Sequence, residues 1–239
     1  MKNKENFLSI HSNQSYSLTI NKSEFIGHAF YVESIDEAEK YISEIREKYK
    51  DATHNCFAYI IGVDKLIQKY SDDGEPSGTA GIPMLEVLRK KDLTNCLVIS
   101  TRYFGGILLG AGGLVRAYTK SIVGVLEKSK IVRKELFYNL DIVLDYIFLG
   151  KIENILKNFD LKILNIEYLE KVKINLSVRK DKFERLKNIM INETSDNCII
   201  KINEENYRIE GDFNGYTDFN SVCDSITKFN TIRRIIVSR

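Results

Sequence analysis

Apolar positions alternate with polar ones in "YSLTI" (16–20) and "SEFIGHAFYV" (23–32), both rich in β-branched and aromatic residues, and so predict two strands. The period then lengthens. Ala38, Tyr41, Ile42, Ile45 and Tyr49 recur at helical intervals behind Ser34 and Glu37, which have capping-box spacing, and the segment 34–50 reads as a helix. The runs 55–62 and 66–71 predict a strand pair joined by a turn at 63–65. Residues 71–83, "SDDGEPSGTAGIP", carry both prolines of the chain and three glycines and predict a loop. A short helix over 84–91 and a strand "CLVIS" (96–100), apolar enough to be buried on both faces, come next. The spacing of Leu114, Tyr118, Ile122 and Val125 then predicts a helix to about Lys128.

A second unit begins near Glu135: strand 136–144, helix from Asp145 to about Phe159, strands 162–169 and 172–178, a helix around Phe183, Leu186 and Met190, and strand 198–202. In 172–178 the period of two is sharpest, with Val172, Ile174, Leu176 and Val178 on one face. The order β-α-β-β-α-β is that of a ferredoxin-like α/β sandwich. From about 203 an extra tail, "NYRIEGDF", a helix and "IRRIIVSR", reads as a further βαβ addition to the same sheet. The expected division is therefore an α+β chain with domains at 15–133 and 135–239.

Charge and composition narrow the function classes. The formal net charge is +2, and the balance is even along the chain: 19 basic against 16 acidic residues up to 134, and 16 against 17 beyond. That argues against tight, nonspecific nucleic-acid binding, which favours a strong basic bias. No uncharged apolar run approaches a membrane span and the first residues lack an apolar leader core, so the reading is cytoplasmic with no membrane partner. Cys56, Cys96, Cys198 and Cys223 are far apart, which suits buried thiols better than a disulfide framework or a zinc knuckle.

The stretch "STRYFGGILLGAGGLVRAY" (100–118) concentrates Gly105, Gly106, Gly110, Gly112 and Gly113 beside Arg102, Tyr103, Phe104 and Arg116. Such glycine density is kept where backbone must come close to something, either a neighbouring strand or an anion at a helix start. The spacing matches neither a Walker loop nor a dinucleotide fingerprint. Two arginines and aromatics around such a loop suit phosphate, carboxylate or an unstacked base, and Arg102 could equally lock onto an acidic loop. Asp72, Asp73 and Glu75 offer that loop, as turn-formers or as acid–base groups. His54 and Cys56 lie two apart at a strand start, hence on one face, as a nucleophile pair or as packing. With only three histidines in the chain, no metal site or other cofactor is expected.

"DATHNCFAY", "YSDDGEPSGTAGIPML" and "TRYFGGILLGAGGLVRAY", in this order and spacing, resemble the YigZ/IMPACT family over about residues 15–133, and the second unit resembles that family's bacterial C-terminal domain. The resemblance implies an N-terminal domain with the fold of elongation factor G domain IV (ribosomal protein S5 domain 2-like) and a C-terminal domain akin to domain V of that factor. It also implies a noncatalytic, translation-associated regulator that binds RNA, the ribosome or a protein factor. Eukaryotic members restrain the stress kinase that acts on initiation factor 2, largely through an extra N-terminal domain, and this sequence lacks that domain's pattern. Glu24 and Leu108 stand where the family usually carries basic residues, which removes positive charge near the loops. On this reading His54, Asp72, Asp73, Glu75, Arg102, Tyr103, Phe104, the five glycines and Arg116 share one binding face. The alternatives are an enzyme acting on a phosphorylated or peptide-like small molecule, with His54 or Asp73 as general base, and a protein–protein adaptor.

Overall fold

A computed structural model of the chain describes residues 5–209. Two compact units divide at Lys134/Glu135.

In the first unit, β1 (Asn6–Ile10), β2 (Gln14–Ile20), β3 (Ser23–Tyr31), α1 (Ile35–Lys48), β4 (His54–Ile61), β5 (Ile67–Ser71), α2 (Gly81–Lys90), β6 (Cys96–Tyr103) and α3 (Gly110–Ser129) follow in order. The sheet runs β2-β3-β6-β4-β5, with every neighbouring pair antiparallel. Burial on both faces explains the unbroken apolar runs of β4 and β6. Phe57, Tyr59, Ile61, Leu97 and Ile99 pack under α1 with Ala38, Ile42 and Ile45. The intervening Cys56, Ala58, Ile60, Cys96 and Val98 meet α2 and α3 through Met84, Leu88, Leu114, Tyr118 and Ile122. At the start of α1 the Glu37 N–H donates to Ser34 Oγ, and the Glu37 carboxylate reaches back to the Glu33 N–H rather than to Ser34.

Several element ends lie a few residues from the pattern-based expectation, and three differences matter most in this unit. β1 was not singled out, because its buried Phe7 and Ile10 sit in a run too short to show a period. α2 starts at Gly81, so Pro83 occupies its first turn, where a missing N–H costs nothing. α3 starts at Gly110, four residues before Leu114, and takes three glycines into its first turn.

The second unit holds most of β7 (Ile131–Leu144), a 3₁₀ turn (Tyr146–Phe148), α4 (Leu149–Lys157), β8 (Leu161–Tyr168), β9 (Val172–Arg179), α5 (Lys180–Thr194) and β10 (Cys198–Ile209). β9 lies antiparallel between β7 and β8, and β10 pairs with β7 on its other edge. Val172, Ile174, Leu176 and Val178 are wholly buried, as their alternation requires. "CIIKI" and "NYRI", expected as separate strands, form the single strand β10. The expected tail helix and "IRRIIVSR" lie outside the described residues.

Candidate functional site

Register builds the centre of the site. His54 on β4 faces Arg102 on β6, and Arg102 faces Phe25 on β3, so the three side chains emerge on the α2/α3 side of the sheet. There the Arg102 guanidinium donates to Glu75 Oε1 at 2.6 Å, and the Tyr118 hydroxyl donates to the same oxygen at 2.7 Å. The Arg102 and Glu75 side chains are only 6% and 2% exposed, which makes this an interior ion pair. Arg102 also lies between the rings of Phe25 and Phe104, 5.4 and 5.5 Å from their centroids. Its Nε has no hydrogen-bond partner among the described residues. The sequence leaves Arg102 open to a surface ligand or to a lock onto the acidic loop; the fold buries it and pairs it with Glu75 of that loop.

The other two carboxylates of the acidic loop are equally committed. Asp72 accepts from the backbone N–H groups of Gly78, Ala80 and Gly81 at 2.8–3.0 Å and so caps the amino end of α2 from a distance in sequence. Asp73 takes positive φ and accepts from Arg46 Nη2 at 2.8 Å and from the Asn55 N–H at 2.7 Å. His54 Nδ1 lies 2.8 Å from the Asp73 carbonyl, an acceptor only, so Nδ1 carries the proton. That leaves His54 Nε2 facing Glu75 Oε1 at 3.8 Å. Burial pushes the Cys56 thiol far above its ordinary pKa, although its hydrogen bond with Tyr118 works the other way; burial also raises the Tyr118 hydroxyl. A protonated, buried thiol beside His54 is packing chemistry rather than a nucleophile pair.

Beyond Arg102 the chain turns outward. Tyr103 donates to Asp51, the Phe104 N–H donates to Thr53 Oγ1, and the Gly105 N–H donates to Ser23 Oγ. Gly105 lies so close to the Lys22 carbonyl that any Cβ would overlap it. Gly106 and Gly110 take positive φ, +80° and +66°. The close approach and positive φ therefore fall at these three positions, while Gly112 and Gly113 lie inside the first turn of α3. Leu109 at its N-cap offers no side-chain cap, and among the described residues no side chain is hydrogen-bonded to that turn, in contrast to the end of α2 that Asp72 fills. Around it Phe104, Ile107 and Leu108 are exposed, Leu108 at 86%. Arg116, one turn on, is exposed and has no ion pair or hydrogen bond among the described residues.

The thirteen candidate residues thus separate into an internally bonded lock, with Glu75 and Arg102 buried and His54, Asp72 and Asp73 half-buried, and an outer rim of Tyr103, Phe104, the glycine loop and Arg116. Tyr118, Ser23 and Arg46 hold the lock and were not singled out from the sequence. The helical spacing marks Tyr118 only as a point on an apolar face; its hydroxyl gains a role because the fold sets Glu75 beside it. Among the described residues no three His, Cys, Asp or Glu side chains converge as metal ligands.

Comparison with known proteins places these features in a family. The profile described as the Impact N-terminal domain matches residues 21–126, and a domain of unknown function, DUF1949, matches 142–197. The chain is 43% identical over 192 residues to the IMPACT family member YvyE of Bacillus subtilis, across 80% of this chain and 88% of that one. It is 36% identical over 151 residues to YigZ of Escherichia coli, another IMPACT family member, across 62% of this chain and 74% of that one. A crystal structure described as that of a hypothetical protein shares 30% identity and a TM-score of 0.58, over 84% of this chain and 98% of that one. No described helix is long and apolar enough to cross a membrane. With both domains matched and 43% identity to a relative over four fifths of its length, the chain belongs to the YigZ/IMPACT family.

Proposed function

We propose that this chain is a noncatalytic, translation-associated regulator that binds RNA, the ribosome or a protein factor through the rim at the start of α3. One observation carries the reading: the acidic loop and the Cys56 thiol are engaged by the fold itself, and the groups that could hold a partner are left outside. Asp72, Asp73 and Glu75 each accept from internal donors, and burial holds the Cys56 thiol protonated. Phe104, Ile107, Leu108, the uncapped amino end of α3 and Arg116 remain exposed. A helix amino end without a cap attracts an anionic group, and exposed aromatic and aliphatic side chains supply stacking or packing area. The enzyme reading takes His54 or Asp73 as general base; Asp73 is held by Arg46 and the Asn55 N–H, so that reading rests on His54 Nε2 alone and has less support. The domain assignments belong to the same proposal: the first unit as an elongation factor G domain IV-type fold, the second as a ferredoxin-like fold, which the strand order β10-β7-β9-β8 supports.

The test is cosedimentation with ribosomes and binding to single-stranded RNA at low and raised salt, for the native chain and for Phe104→Ala and Arg116→Ala. Loss of a stacking ring costs about 1–3 kcal/mol, roughly tenfold or more in affinity. Loss of Arg116 lowers the salt slope by about one charge. Native protein that neither sediments with ribosomes nor binds RNA at low salt, and copurifies with no translation factor, refutes the proposal.

A further inference from the structure

Helices α2 and α3 lie on the same side of the first unit's sheet, and the space between them is not filled. Val115, Thr119 and Val123 of α3 form one wall, while Ile82, Glu86, Val87 and Lys90 of α2 form the other, around a groove of about 620 Å³. Each wall spans nine residues, about 12 Å at the helical rise between its end positions, or two turns. That is the span over which an amphipathic helix presents anchors at i, i+3, i+4 and i+7. Ile82 stands 42% exposed at the edge of this groove, an apolar side chain with solvent on one side.

Charge selects the occupant. Lys90 and Lys91 line one end of the groove, and the Glu86 carboxylate that could balance them is spent on Arg89 Nη1 at 2.7 Å. Among the described residues neither lysine's ammonium group has an ion pair or hydrogen bond. No aromatic side chain lines the groove, so it lacks the stacking platform that single-stranded nucleic acid uses. An apolar floor two turns long, ending in uncompensated positive charge, matches apolar anchors followed by carboxylates.

We infer that the α2–α3 groove docks an acidic amphipathic helix of a protein partner, with its apolar anchors between the two helix walls and its carboxylates on Lys90 and Lys91. This surface shares no residue with the rim assigned above, so the two stand or fall separately.

Fluorescence anisotropy of the full chain with a labelled synthetic helix tests it. The probe has about 14 residues, with leucines at i, i+3, i+4 and i+7 and glutamates elsewhere. The expected result is saturable binding that Ile82→Glu weakens by about tenfold or more, as does Lys90→Glu combined with Lys91→Glu. A scrambled peptide of the same composition binds at least about tenfold more weakly, and Lys162→Ala, exposed on β8 of the second unit, leaves binding within about twofold. All substituted side chains are exposed or at the groove edge, and circular dichroism confirms that each variant is folded. Absence of saturable binding, equal binding of the scrambled peptide, or insensitivity to both groove variants overturns the inference. So does an oligouridine that binds the native chain and loses affinity in the same groove variants, since the occupant is then a nucleic acid.

Discussion

The Arg102–Glu75 pair tests whether the centre of the candidate site is a structural lock. Glu75→Gln keeps an oxygen for the Tyr118 hydroxyl and for Arg102 but removes the negative charge, leaving a guanidinium only 6% exposed without a counter-ion. Arg102→Met keeps the stem packed between Phe25 and Phe104 and strands the Glu75 carboxylate instead. Removing one partner of a buried pair costs about 3–5 kcal/mol, whereas replacing both by neutral groups is often nearly free. Each single variant is therefore expected to lose about 3 kcal/mol, roughly 10 °C in the melting temperature of a unit this size. The double variant is expected to lose less than either single one, which makes the coupling energy about 3 kcal/mol or more. The chain has no tryptophan, so urea unfolding followed by far-ultraviolet circular dichroism gives the totals. Hydrogen exchange on peptides from β4 and β6 places the loss in the first unit, with β9 peptides as the control. Single variants within about 0.5 kcal/mol of native, or a double variant equal to the sum of the two, would show that Arg102 is not the lock described here.

Two further outcomes follow from the same geometry. Gly105→Ala places a Cβ against the Lys22 carbonyl, so thermal melting should show a loss of about 1–3 kcal/mol, while Gly112→Ala, with only Arg116 Nη1 in reach at 3.7 Å, should be neutral or better; the reverse order would sink the assignment of the close approach to Gly105. His28 is buried against Ser15, Thr101 and the Tyr49 ring, and burial, with Lys48 nearby, lowers its pKa from 6.5 to about 4. The folded state thus binds its proton less readily than the unfolded chain, so its contribution is complete above about pH 6.5 and lost as pH falls toward 4, about 2 kcal/mol by pH 5. Urea midpoints at pH 7 and pH 5 should separate less in His28→Gln than in the native chain, and an unchanged separation would contradict this.

Local pattern alone determined a good deal about this chain. Period and capping fixed α1 through Ser34 and Glu37, and fixed β9 through Val172, Ile174, Leu176 and Val178, because each signal is complete within a few residues. The three motifs around His54, Asp72 and Arg102 were enough to point to the family, since their residue types and order survive in the linear string. What the string could not carry was the side of the surface on which each charge ends. Whether Arg102 meets solvent or Glu75 depends on the register of β4, β6 and β3 and on α3 delivering Tyr118 to the same oxygen, 43 residues from Glu75. The close approach likewise belongs to Gly105 because Lys22, far away in sequence, is its neighbour in space. Burial and pairing between distant residues are collective results of packing, and they divided one stretch of candidate residues into a locked interior and an open rim.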